Sequence, residues 1–115
     1  ALIDARKGLN MFRKVNVPLL GIVENMSHFL CTECGARHDI FGNGGAKSEA
    51  IKLGVPFLGE VPLEMAIRAT SDEGTPIVAS QPDSHHANHY RAIALAVLDT
   101  LEKNAPKVAP KIIVE

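Results

Sequence analysis

No apolar stretch in these 115 residues approaches the roughly 20 that a membrane-spanning helix needs. The N-terminus also lacks the ordered basic, apolar and small-residue regions of a secretory signal. Charge of one sign is missing too. Twelve Lys and Arg stand against 13 Asp and Glu, mixed along the chain, for a formal net charge of −1. There is no basic stripe to follow a phosphate backbone and no acidic block to form a tail. Internal repeats are absent. No nucleic acid and no membrane are therefore expected as partners, and the sequence reads as cytoplasmic. What remains is ordinary globular material, 46% hydrophobic and 22% charged, enough for one modest core.

Cysteine is the scarcest informative residue. The chain has two, in Cys31-Thr32-Glu33-Cys34, between a long apolar run and a glycine cluster. Without export signals, such a pair points to metal or redox chemistry more than to a structural disulfide. Two thiolates fill half of a tetrahedral metal or cluster site. His38 can add one ligand, and a second copy of the chain can add two thiolates, which points to a cofactor shared across a dimer. Three chemistries stay open. A redox dithiol would need the pair at a helix N-terminus. A zinc site would use Cys31, Cys34 and His38, or two pairs from two chains. An iron–sulfur cluster would use the two pairs, and the spacing alone does not separate it from zinc.

Periodicity gives the frame. Leu2, Ala5, Leu9 and Phe12 recur at helical spacing to about Val15, and the chain opens without Met as though already inside that helix, so a piece of a longer protein is expected. Pro18–Val23 is a continuous apolar run, as in strands buried on both faces of a parallel sheet. Asn25 to Asn43 reads as a long loop carrying the cysteines. Gly44–Leu53 reads as a helix with Ala46, Ala50 and Leu53 inward and Gly54 as its stop. Val55–Val61 reads as a second strand closed by Pro62, and Leu63 to about Glu73 as a short helix. Thr75–Val78 is expected to be extended. A final helix after Pro82 has Ala87, Tyr90, Ala94, Val97, Leu98 and Leu101 as its inward face, and Asn104 to Glu115 reads as a flexible tail. Strands alternating with helices predict an α/β parallel sheet, and two strands are too few for one, so further strands are expected to precede them.

Three other groups can carry chemistry. Gly42-Asn43-Gly44-Gly45-Ala46-Lys47-Ser48 resembles a phosphate loop, but Ala46 stands where a Gly is required before the Lys, and no strand leads directly into it. It is read as a hinge and helix start. Asn25 follows Val23-Glu24 past the end of a buried strand, where open α/β sheets bind ligands, and its amide can pair with a base edge or simply start a turn. His85 and His89 have the i, i+4 spacing of a metal pair, yet no third ligand is near them in sequence, and a solvated helix start accounts for them.

Taken together, Ala1–Phe12, Gly-Ile-Val-Glu-Asn-Met-Ser from Gly21, the cysteine pair, Phe41-Gly-Asn-Gly-Gly, Leu53-Gly-Val-Pro-Phe-Leu-Gly-Glu-Val-Pro and Gly74-Thr-Pro-Ile-Val closely resemble the Mrp/ApbC family. Members are P-loop ATPases, relatives of MinD and the nitrogenase iron protein, that carry or assemble iron–sulfur clusters. The resemblance implies a three-layer α/β/α fold, with residues 1–103 forming the C-terminal part of its nucleotide-binding domain. It implies that Cys31 and Cys34 hold a bridging [4Fe-4S] cluster in a homodimer, with delivery to apo iron–sulfur proteins as recipients. Asn25 matches the adenine contact, and Pro62 and Leu63 match the adjoining wall of the adenine pocket. The glycine-rich Walker A loop and the segment that holds magnesium, which serve ATP and Mg in the full-length parent, are not among these residues. The polypeptide alone is therefore expected not to hydrolyse ATP. The reading from a different class is a non-catalytic zinc-binding or protein-interaction module.

Overall fold

A computed structural model of the chain describes residues 1–104. The order is α1 (Leu2–Lys14), β1 (Ile22–Leu30), β2 (Arg37–His38), α2 (Gly45–Leu53), β3 (Phe57–Leu63), α3 (Met65–Asp72), α4 (Ile77–Ser80) and α5 (His85–Lys103). The strands form one sheet in the order β2-β1-β3, with β1 and β3 parallel and β2 antiparallel to β1. Helix α2 lies in the connection between the parallel strands, and α5 packs on β3. Of the tail expected from Asn104 onward, only Asn104, the C-cap of α5, falls within the described residues.

The first strand starts later and ends later than its composition suggests. Pro18–Gly21 is not strand. Gly21 holds φ at +155°, a conformation that glycine adopts without strain, and Ile22 then donates its N–H to the Pro56 carbonyl at 2.8 Å to begin the ladder. β1 runs through the expected loop to Leu30, where a hairpin pairs Phe29 with His38 and Leu30 with Arg37. β3 also continues past Val61, through Pro62 to Leu63. Proline lacks the N–H that a ladder consumes. The register against β1 jumps at this point, from Asn25↔Val61 to Phe29↔Leu63, so the extra residues of β1 bulge opposite Pro62. Met26, with φ of +55°, lies in that bulge.

The helices follow their punctuation more closely. Ala46 and Ala50 of α2 are buried, and Gly54 closes the helix at φ of +66°, with Val55 N–H bonding the Ala50 carbonyl. α3 ends before Gly74, which has φ of +74°. Thr75–Val78 is not extended as expected. Ile77–Ser80 forms a single helical turn, because Pro76 is pre-set to precede a helix and its carbonyl accepts from Ala79 and Ser80. In α5 the inward face keeps Ala87, Tyr90 and Val97 of the expected one but not the rest. Ala87 and Thr100 are buried and Ile93 meets Gly59 of β3, whereas Ala94, Leu98 and Leu101 are exposed. A run that is apolar nearly all round does not by itself choose a face.

Helix α1 buries only Leu9, and a charge pair ties it to α2. Arg6 donates through Nε and Nη2 to the two carboxylate oxygens of the buried Glu49, the second bond measuring 2.9 Å. That bidentate hydrogen bond holds the Glu49 carboxyl below its ordinary range against the opposing effect of burial. A depressed folded-state pKa stabilises above the unfolded value, about 4.3 for Glu, and the contribution is lost as pH falls below that toward the folded value. Hydrogen exchange of the α1 amides, taken relative to the intrinsic rate at each pH, should therefore accelerate on acidification below about pH 4. In Glu49→Gln it should already be fast at neutral pH and should show no such acid step. An unchanged α1 in Glu49→Gln would refute the tether.

The sheet is open among the described residues. β2 reaches β1 only at Phe29 and Leu30, so the edge of β1 along Ile22–Asn25 has no strand beside it. Val23 and Met26 on that strand are exposed, as are Leu2, Ile3 and Met11 on α1. These are the surfaces that further strands and helices of a larger sheet would cover.

Candidate functional site

The two cysteines sit at the tip of the β1–β2 hairpin. Cys31 follows the last residue of β1, donates its N–H to the Ala36 carbonyl and accepts from the Gly35 N–H, both at 2.9 Å. Gly35 reverses the chain at φ of +72°. The result is a knuckle in which backbone N–H groups turn toward the first sulfur. The Cys34 N–H chiefly, then that of Glu33, hold the Cys31 thiol below its ordinary pKa, with a smaller share from Gly35, while desolvation opposes them. The thiolate, the form that binds metal and exchanges ligands, is therefore favoured at Cys31.

Both thiols are free, Cys31 half-buried and Cys34 exposed. No helix begins at the pair, which removes the setting a thioredoxin-like dithiol requires. His38 lies on β2 directly across from Phe29, with the two rings 6.2 Å apart. Among the described residues it does not join Cys31 and Cys34 in a set of three groups close enough to hold one ion. The hairpin thus presents two thiols at an accessible tip, with no third such group beside them among the described residues.

Asn25 lies on the same strand, at the start of the bulge. Its side-chain oxygen accepts from the Met26 N–H at 2.9 Å, which helps hold Met26 in its left-handed conformation. Asn25 lines a cavity of about 470 Å³ with Glu24 and Met26, and Phe41, Gly42, Asn43 and Gly45 form its facing wall. The glycine cluster, which sequence separates from Asn25 by the whole hairpin, is thereby brought to it. Gly44 caps α2 at φ of +73°. Val61 is the ladder partner of Asn25, Pro62 is fully buried in β3, and Leu63 pairs with Phe29. Neither Pro62 nor Leu63 lines the cavity at Asn25.

Sequence reasoning passed over a second cluster. Glu64, between β3 and α3, is buried against the start of α5, where His86 turns inward rather than into solvent. The only cue was a chain-adjacent pair of histidines, and the burial of Glu64 was not legible from its neighbours.

A small, mostly parallel sheet with a helical crossover fits a partial P-loop NTPase fold. Residues 1–98 match the ParA family model, described as the NUBPL iron-transfer P-loop NTPase, and the chain belongs to that family. It is 48% identical over 119 residues to the iron-sulfur cluster transfer protein NUBPL of Dictyostelium discoideum, covering 99% of this chain and 37% of that protein. It is 48% identical over 103 residues to the iron-sulfur protein required for NADH dehydrogenase, mitochondrial, of Arabidopsis thaliana, covering 90% of this chain and 33% of that one. A solved structure of a nucleotide-binding protein from Archaeoglobus fulgidus, in complex with ADP and with cobalt found, is 37% identical with a TM-score of 0.55. It covers 62% of this chain and 29% of that one. The chain therefore spans about a quarter to a third of the length of the curated relatives it matches.

Proposed function

We propose that the protein carries iron–sulfur clusters, holding a [4Fe-4S] cluster as cargo between two copies of the chain and passing it to apo-proteins. The observation that carries this reading is the knuckle itself, with two free thiols at an accessible tip and no third protein ligand near them among the described residues. Two such pairs complete the four thiolates of a cluster. Names of relatives that refer to cluster transfer support the cargo. Release needs only ligand exchange, in which each iron–cysteine bond broken at the hairpin is replaced by one to a recipient's thiolate, with no change of oxidation state.

Asn25 and the glycine wall opposite it are proposed as the adenine end of an ATP site, with Pro62 and Leu63 supporting it from the neighbouring strand. The phosphate and magnesium ligands would come from the remainder of the family's domain. The ADP named for the Archaeoglobus fulgidus protein supports the nucleotide. Free thiols of this kind call for a reducing compartment. The cytoplasm is the proposed one, with the organelle of the Arabidopsis thaliana relative as its counterpart.

The test is iron, sulfide and zinc analysis after anaerobic reconstitution with iron and sulfide, together with sedimentation. About two irons and two sulfides per chain in a dimer are expected. Zinc at one half or one equivalent per chain, with no iron chromophore, would replace the carrier by a structural zinc module.

A further inference from the structure

We propose that Glu64, His85 and His86 form a second metal site, for a divalent ion of the zinc type and separate from the cysteine hairpin. One ligand atom from each of the three lies within 4.8 Å of the others. The residues come from two elements that the fold brings together: Glu64 at the β3–α3 junction and the two histidines that open α5. Two imidazoles and one carboxylate are a donor set that zinc accepts, with the fourth position left to water or another group.

A second observation points to a ligand there. The Glu64 side chain is only 6% exposed and that of His86 13% exposed. Nδ1 of His86 stands 4.0 Å from a Glu64 carboxylate oxygen, too far for a hydrogen bond, and this buried nitrogen has no hydrogen-bond partner among the described residues. An orphaned buried polar atom facing a buried carboxylate marks a place that a ligand can fill. Desolvation chiefly, then the neighbouring His85, lowers the pKa of His86, while the Glu64 carboxylate opposes them. The neutral imidazole is the form that binds metal.

The remaining geometry is permissive. A tetrahedral ion with bonds of about 2 Å sets its ligand atoms roughly 3.4 Å apart. Closure therefore needs side-chain shifts on the order of 1 Å, and His85, which is exposed with its ring 3.9 Å from that of His86, is free to make them. The start of a helix repels a cation, and the Glu64 carboxylate supplies the compensating charge. His89, the expected i, i+4 partner of His85, is not part of the set.

The test uses the untagged full chain carrying Cys31→Ser and Cys34→Ser, so that the thiolates cannot take the metal. Zinc titration by calorimetry should give one ion per chain, and cobalt(II) should give tetrahedral visible bands without sulfur charge-transfer absorption. Adding Glu64→Gln or His86→Gln should weaken zinc binding at least tenfold. His85→Ala, at an exposed position, should do the same with an unchanged circular dichroism spectrum, which guards against a variant that merely fails to fold. No zinc bound by the cysteine-free chain, or equal binding after His85→Ala, would overturn the site. Either result leaves the cluster proposal untouched, because that rests on the hairpin.

Discussion

Replacing Cys31 and Cys34 by Ser should lower the iron and sulfide retained after reconstitution from about two of each per chain to background. The loss should exceed tenfold with no change in the folded spectrum. The thiols sit at a hairpin tip, where neither fills the core. The backbone bonds that shape the knuckle, Cys31 N–H to the Ala36 carbonyl and Gly35 N–H to the Cys31 carbonyl, survive the substitution. What changes is the ligand chemistry, since a serine hydroxyl does not replace a soft thiolate on iron. Either single variant should also fail to hold the cluster, because a dimer then offers two thiolates instead of four. His38→Ala should leave the iron content as it was. A large loss in that variant would shift the site to a single-chain knuckle with His38 as a ligand.

Gly21→Ala should be the most damaging of the small substitutions. A Cβ built at Gly21 lies 2.6 Å from the Pro56 carbonyl oxygen and 2.6 Å from Leu58 Cγ, and the residue holds φ at +155°. The clash falls on the backbone that accepts the first ladder bond from Ile22. Backbone strain and overpacking each cost about 1–3 kcal/mol, so a loss of roughly 3 kcal/mol or more is expected in urea unfolding. Gly8→Ala is the internal control. It sits within α1 with nothing inside 4 Å of an added Cβ, and it should stabilise by about 0.5–1 kcal/mol. Similar effects from the two variants would mean that the β1–β3 junction is not as closely packed as described.

Legibility in the sequence followed the strength of local punctuation. Gly54 and Gly74 end their helices where their position predicts, and Ser84 caps α5 by accepting from the Ala87 N–H. The spacing of the cysteine pair points to metal or redox chemistry but does not choose between zinc and an iron–sulfur cluster. The hairpin was not legible, because the bulge from Met26 breaks the period-two alternation and the polar Ser27 and His28, which look like loop, are buried in the strand. Ser27 Oγ and His28 Nδ1 satisfy each other at 2.9 Å, a pairing no pattern of hydrophobicity encodes. Pro62 read as a stop and proved to be a strand residue, since the missing N–H is accommodated across the ladder, in β1. The cluster of Glu64 with His86 is tertiary from the outset, joining residues on separate elements.

Strand β1 carries Asn25 at its bulge and leads straight into Cys31, at most about 20 Å farther along. On the proposed reading, base recognition and cargo would occupy two ends of one lever, with the bulge at Met26 within it. A tilt of the strand at the proposed nucleotide end would displace the sulfurs. In a pair of facing hairpins the same tilt sets the gap across which four thiolates must meet, so the reach of that lever, more than the affinity of any single thiol, would decide when the cargo is held and when it is let go.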